Sequence, residues 1–378
     1  MPLYHTDDQT MLKDSAAPFL ADAAPIAHMR ALRDSNDATG FSRDLWAQFA
    51  QMGFTGILVP ENHGGMGLGH AEAGIILEEI GRNLTPSPFL TTAVAATAAL
   101  NAAGGATADQ WLPRIAAGDA VIALAIDESA RHRPERTALT AERSGNGFRL
   151  TGTKTFVING HSADMLLVAA RTAGAAGEED GLTLFAVPQN AAGLSADPRR
   201  LVDGSLASRM QFDGVVVDGD AVVGGVDQGW AALKPLLAAA RVGASAEMLG
   251  VGQGAMDMTM TYLKQRKQFG QLIGEFQSLQ HRAAHLYSEM EIARATVMKA
   301  QQLLDEGNAG AELMVSVAKA KTGLTANLAV REGVQMHGGI GMTDEYDIGL
   351  YMKRDRALAE FMGDVSYHTD RVARLNGY

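Results

Sequence analysis

The hydrophobic period of the chain changes twice, and those two changes limit the fold more than any single motif. From Asp7 to about Gly118, apolar residues recur at three- and four-residue steps, as in Met11, Leu12, Phe19, Leu20, Ile26 and Met29, and again around Leu45, Trp46 and Phe49. Pro60 and the clustered glycines of Val59–Gly69 interrupt this pattern before helices resume at His70–Ile80 and Thr91–Ala103. Between about Ala120 and Asp227 the runs shorten to strand length: Val121–Ile126, Phe148–Leu150, Thr155–Ile158, Met165–Ala169, Leu182–Val187 and Val215–Val217. No long helical pattern is interleaved with them, so the expectation is an antiparallel β-barrel or sandwich and not a parallel βαβ sheet. From Gln228 the helical period returns. Trp230–Leu263, Gln277–Glu306, Gly310–His337 and Asp347–Leu375 predict a four-helix bundle, its third helix roughly 40 Å long. The pattern is that of an α+β chain with an N-terminal helical domain at 1–119, a middle β-domain at 120–227 and a C-terminal helical bundle at 228–378.

Charge and content narrow the function. The 378 residues hold 32 Lys and Arg against 43 Asp and Glu, a net charge of −11 that argues against non-specific nucleic-acid binding. There is no Cys, which removes disulfides, thiolate catalysis and Cys-ligated metal centres together. The acidic N-terminus lacks the apolar core of a secretory signal. The longest apolar stretch, Trp230–Met248, contains Lys234, Pro235, Arg241 and Glu247, whereas a membrane span needs about 20 nearly charge-free residues. The expectation is a soluble cytoplasmic protein with neither a membrane nor a nucleic-acid partner.

Gly250-x-Gly252-x-Gly254 imitates a dinucleotide fingerprint, but it lies inside a helical stretch with no preceding strand, so close helix packing is expected. His281 and His285 stand one helical turn apart without a carboxylate at metal-ligand spacing, and no metal is expected. Two helix ends carry more chemistry. Tyr262–Gly270 leads a cationic cluster to Phe269 and Gly270, a pattern that also suits an ordinary helix C-cap. Gln335-x-x-Gly338-Gly339-x-Gly341 closes a second helix with an amide beside paired glycines, which let a ligand approach the backbone. An Arg such as Arg266 for a pyrophosphate and a Gly-rich turn for its nucleotide form a sensible pair.

These residues, with Trp46, Leu77–Gly81, Gly152-x-Lys154, Asn159-Gly160, Ala163-Asp164, Arg241, Phe276-Gln277 and Arg354-Asp355, give a sequence that resembles the acyl-CoA dehydrogenase family over essentially its whole length. The resemblance implies an N-terminal helical domain, a middle β-domain and a C-terminal four-helix bundle. It implies FAD bound across a subunit interface, and an acyl-CoA substrate that loses its α-proton to a carboxylate and its β-hydride to the flavin. It further implies that Arg266, Phe269, Gln277, Gln335, Gly338 and Gly339 hold the ADP portion of FAD belonging to a neighbouring protomer. Arg241 is implied either as a contact for the acyl-CoA or as an interhelical ion pair.

The flavin-ring side departs from the family. Where the family reads Thr-Glu-Pro-x-Ala-Gly-Ser-Asp, this chain reads Asp127-Glu128-Ser129-Ala130-Arg131-His132-Arg133-Pro134, so a carboxylate replaces the hydroxyl that meets the flavin and the Ser that helps seat CoA is missing. The Trp-Ile-Thr-Asn-Gly segment is Phe156-Val157-Ile158-Asn159-Gly160, with Phe156 and Ile158 expected as alternating strand residues packed inward. The family's base, a Glu nine residues after the Arg of Arg-Asp, falls on Gly363, and the alternative Glu falls on Ala240. Asp364 is one position away, about 100° round a helix, and no catalytic residue is assigned. Retention on the ADP side beside loss on the ring side resembles the small, non-catalytic subunits of heteromeric acyl-CoA dehydrogenases that act on dicarboxylic or steroid side-chain CoA esters. The competing expectations are a self-sufficient homotetramer with a displaced carboxylate base, a flavin oxidase or monooxygenase on the same scaffold, and a structural subunit without FAD. An α2β2 assembly with a paralogue and an electron-transfer flavoprotein are the partners implied.

Overall fold

The computed structural model describes residues 3–378; Met1 and Pro2, at the start of the predicted 1–119 domain, lie outside the described residues. The chain forms two compact units, one of Met1–Ala31, His70–Thr85 and Arg241–Tyr378, the other of Leu32–Gly69 and Pro86–Ala240. In order, the helices are α1 (Asp7–Ala23), α2 (Ile26–Asp34), α3 (Arg43–Gln51), α4 (His70–Arg82), α5 (Thr97–Ala103) and α6 (Gly105–Ala116) before the strands, then α7 (Trp230–Gln265), α8 (Gln277–Asp305), α9 (Ala311–His337), α10 (Ile348–Glu360) and α11 (Val365–Leu375). No helix of the described residues is long and apolar enough to cross a membrane.

The β-unit holds β1 (Ile122–Ala125), β2 (Thr140–Ser144), β3 (Gly147–Ile158), β4 (Met165–Arg171), β5 (Leu182–Pro188), β6 (Leu194–Arg200), β7 (Leu206–Val217) and β8 (Val222–Val223). They form one sheet in the order β6-β7-β3-β2-β4-β5-β8, with β1 added beside β4. The sheet is mixed and not antiparallel as the sequence suggested: β1 and β2 each pair with β4 in parallel. The physical cue was the continuous burial of β1 and β4, since a strand covered on both faces reads as an unbroken apolar run instead of an alternating one. The sequence also concealed β6, whose Pro198 and charged residues resemble a loop; it pairs only with β7, at the edge where a Pro is tolerated.

In the helical unit α9 packs against α8, α10 and α11. Met248, Val251 and Ala255 of α7 share a core with Ala326, Val330 and Val334 of α9 and with Ile348 and Tyr351 of α10. The glycines of α7 serve packing, as expected. A Cβ on Gly250 would lie 1.9 Å from the Glu78 carbonyl oxygen of α4, and one on Gly81 would lie 2.0 Å from that of Glu247, so the two backbones touch. The predicted single helix over Asp347–Leu375 is broken at Phe361–Asp364. Gly363 lies at φ 104° and Asp364 caps the next helix, accepting from the Tyr367 backbone N–H at 2.7 Å.

Candidate functional site

An open rim forms where α7 ends. Lys267–Gln268 (β9) and Gln271–Leu272 (β10) pair antiparallel, leaving Phe269 and Gly270 as a two-residue turn. Both have positive φ, 53° and 84°, as a type I′ hairpin requires, although Asn or Gly adopts that geometry with far less strain than Phe. The Phe269 ring is 92% exposed and meets only the edge of Phe276, 6.2 Å between centroids, among the aromatic contacts of the described residues. A bulky ring held in a strained turn and left in solvent is a feature of ligand and partner surfaces.

Beneath the rim, Leu263, Ile273 and Met336 are buried together, with Tyr262, Phe276 and Leu279 against them. This cluster ties the end of α7, the start of α8 and the end of α9. It thereby collects Arg266, Gln277 and Gln335, all exposed, at one edge of the unit. Gly338 leaves α9 at φ 65°, its N–H returned to the Gln335 carbonyl. A Cβ on Gly338 or Gly339 would meet nothing within 4 Å, so both peptides face open space. His337 supports the turn from below: it is 3% exposed, its Nδ1 lies 2.7 Å from the Gly333 carbonyl oxygen, and its ring stacks between Tyr262 and Tyr346 at 4.4 and 4.9 Å. Burial lowers its pKa, keeping the imidazole neutral. Among the described residues Arg266 has no carboxylate partner. A free guanidinium, two open glycine peptides and two primary amides suit the diphosphate and nucleoside of a dinucleotide's ADP half.

A closed corner lies between α10 and α11. A Cβ on Gly363 would come within 2.4 Å of Tyr367 Cδ1 and 3.0 Å of His368 Nε2. Lys319 of α9, 2% exposed, donates from Nζ to the carbonyls of Leu358, Ala359 and Gly363 at 3.1, 3.2 and 3.1 Å, capping the end of α10. Burial pushes Lys319 down to about 7 and neighbouring Asp355, 1% exposed, up to about 6. Asp355 accepts from Asn327 at 3.3 Å. Arg241 is 4% exposed; it donates to the Tyr367 hydroxyl at 3.0 Å and to the Met362 carbonyl at 3.4 Å, and its guanidinium lies 5.4 Å from the Tyr367 ring centre. It is thus built into the corner. Asp364 serves as a helix cap.

The Asp127 carboxylate is not bare: its oxygens lie 2.9 and 3.0 Å from Nδ1 of His132, which is 8% exposed. Lys154, fully buried, donates to the Ile126 carbonyl at 2.9 Å and to Glu128 at 2.8 Å, and Glu128 also accepts from the N–H groups of Ala138 and Leu139. In β3 the pairing register slips between Lys154 and Val157, with Phe156 at φ 53°. The inward residues are therefore Lys154 and Val157, while Phe156 and Ile158 are only half-buried, contrary to the alternation expected.

Family profiles match at residues 6–119 (acyl-CoA dehydrogenase, N-terminal domain), 129–215 (middle domain) and 227–375 (C-terminal domain). The acyl-CoA dehydrogenase FadE12 of Mycobacterium tuberculosis is 32% identical over 320 residues, covering 83% of this chain and 82% of its own. A variant of the Tcur3481–Tcur3483 steroid ACAD superposes with a TM-score of 0.88 at 30% identity, covering 98% of both chains. The ChsE4–ChsE5 complex from Mycobacterium tuberculosis contains a chain 26% identical, with a TM-score of 0.88 and full coverage of both. With all three domains matched in order, this chain belongs to the acyl-CoA dehydrogenase family of oxidoreductases.

Proposed function

We propose that the chain is a partner subunit in the FAD-dependent α,β-dehydrogenation of an acyl-CoA, supplying the ADP-binding part of a flavin site whose ring and base are carried by a sister polypeptide. The observation that carries this reading is the closed corner. At the position where the family resemblance places the base, Gly363 has no side chain, and the Tyr367 ring fills the space a side chain would need. A carboxylate cannot stand there while Tyr367 does. Asp364, the nearest substitute, is committed to the N-terminus of α11, which disfavours a self-sufficient homo-oligomer with a displaced base.

In this proposal FAD supplies the hydride acceptor. Arg266 neutralises its diphosphate, Gly338 and Gly339 admit the nucleotide to the backbone, and Gln277 and Gln335 offer directional hydrogen bonds. Phe269 covers the nucleotide from the neighbouring side. Arg241 can meet an acyl-CoA only if Tyr367 releases it, so its place is in holding the corner. Two of the structural relatives bear paired names, one a steroid enzyme, the other called a complex, which favours an α2β2 assembly acting on a bulky acyl group. An electron-transfer flavoprotein is the proposed electron acceptor.

The test is purification alone and with a co-expressed paralogue that retains the Glu. Alone, the chain should bind FAD weakly and fail to bleach it with acyl-CoA. Together the two should turn over, and Arg266→Gln in this chain should lower the FAD content of the complex about tenfold at fixed flavin. Vigorous turnover by the isolated chain sinks the proposal.

A further inference from the structure

His337 is the last residue of α9, one position before the glycine turn. Its Nδ1 faces the Gly333 carbonyl oxygen at 2.7 Å, so Nδ1 carries the proton and donates. That leaves Nε2 as a bare acceptor. It is buried, and among the described residues no donor meets it. The ring is enclosed on both sides: Tyr262 lies at 4.4 Å and 31°, Tyr346 at 4.9 Å and 48°, and the two tyrosines meet each other at 6.1 Å. Gly341 folds back over the same residue, where a Cβ would lie 3.0 Å from the Cβ of His337 and 2.7 Å from the Val334 carbonyl oxygen. The turn Gly338–Met342 is thus seated on His337.

A neutral ring suits this seat and a charged one does not. A second proton, on Nε2, would create a buried N–H without an acceptor and a charge without a counter-ion, each of which costs free energy. Cation–π attraction to the tyrosine faces offsets only part of that cost. The groups around the ring supply no counter-charge. Tyr262 of α7 and Tyr346 of the segment before α10 are neutral phenols near neutral pH and below. Asp347 is paired with Arg30 at 2.6 Å, and Asp344 with Arg30 at 3.3 Å and Lys353 at 3.5 Å. On α9 itself Glu332 is paired with Arg282 at 2.6 Å, and Glu345 is exposed. Burial accordingly lowers the pKa of His337, and the Gly333 carbonyl opposes this only in part.

We propose that His337 is a proton-operated release for the rim: protonated at Nε2, the ring leaves its place between the tyrosines, the Gly338–Met342 turn loses its floor, and the nucleotide held there is let go. This rests on the reading of the rim as the nucleotide-binding end and adds the regulation of that site by pH. In the opened rim the imidazole is free and titrates at its ordinary value of 6.5. By linkage the closed rim is therefore fully favoured above about pH 6.5 and weakens as pH falls below it.

Hydrogen exchange of the full chain without nucleotide reads the opening directly. Corrected for intrinsic rates, protection of the turn following α9 should fall about tenfold per pH unit below about pH 6.5, the slope of one proton. In H337N the side-chain amide donates to the Gly333 carbonyl in place of Nδ1 but does not titrate, so protection should stay level from about pH 7.5 to 5. FAD titrations followed by flavin fluorescence should run in parallel, because the diphosphate diester of FAD does not change charge in this range. Parent affinity should fall about tenfold between about pH 7 and 5.5, and that of H337N less than about twofold. Circular dichroism checks folding at each pH. Level protection in the parent overturns the proposal without recourse to any variant, as does an H337N protein that keeps the parent's acid loss. Protection that falls while FAD affinity holds overturns it too. Failure of the partner-subunit reading shows separately, as turnover by the isolated chain, and leaves the exchange measurement unaffected.

Discussion

Two glycines in the helical unit, Gly338 and Gly363, both take positive φ, 65° and 104°, and both end a helical segment, yet their surroundings are opposite. A side chain on Gly338 would reach into empty space, whereas one on Gly363 would strike an aromatic ring at 2.4 Å. At the first, the fold spends a flexible residue to keep a surface open; at the second, the same residue lets a ring close over the backbone. Openness at Gly338 and closure at Gly363, on helices packed against the same α9, are the contrast on which the proposed partner-subunit reading rests.

The largest expected effects test this contrast directly. Gly363→Ala should destabilise the protein by about 3 kcal/mol or more, from backbone strain and the overlap with Tyr367, while Gly338→Ala should cost only about 1–2 kcal/mol, from strain alone. Urea midpoints of the two variants compare them; equal losses would erase the distinction between open and closed. Next, Lys319→Met should cost about 2–4 kcal/mol, because three buried carbonyls at the end of α10 lose their donor, and a variant as stable as the parent would show that the corner does not rely on it.

The third test is pH. Burial holds Asp355 at about 6 against an ordinary 3.8, so the folded state keeps the proton longer than the unfolded chain. The stability Asp355 confers is full below about pH 4 and is lost as pH rises towards 6. Lys319, lowered from 10.5 to about 7, acts in the opposite sense, its contribution being lost as pH falls from the alkaline side towards 7. Between about pH 4.5 and 6.5 the parent should lose on the order of 2 kcal/mol relative to Asp355→Asn, as measured by urea unfolding at each pH. The smallest effect is expected at the open end. Arg266→Gln, at an exposed side chain, should change stability by less than about 0.5 kcal/mol while lowering FAD retention, and a large loss of stability would recast the rim as a folding element.

Much of this was legible in the residues. The switch in hydrophobic period located the β-unit, and the placement of Gly250 inside a helix identified it as packing, now seen as backbone contact with α4. Gln335–Gly341 and Arg266–Gly270 marked the rim because glycines and cations beside helix ends are conspicuous in sequence. The mixed sheet was harder, since strand direction depends on distant pairing and left only the unbroken apolar run of Met165–Ala169 as a sign. The corner was hidden for a different reason. Lys319 carries no local mark beyond apolar neighbours at helical spacing, and its partners lie 39 to 44 residues further along. Phe361-Met362-Gly363-Asp364 did contain a legible break, a Gly followed by a good N-cap, but the residue that covers Gly363 could be identified only in three dimensions.

The way Tyr367 is seated has a consequence for ancestry. Its hydroxyl engages Arg241 and its ring occupies the volume over Gly363. Placing a glutamate at position 363 would first require clearing the tyrosine, which would in turn remove one hydrogen-bond partner of a buried guanidinium. Each single step toward a carboxylate at position 363 is therefore harmful before the next can help. On the proposed partner-subunit reading, such a ratchet makes dependence on a sister protein hard to reverse.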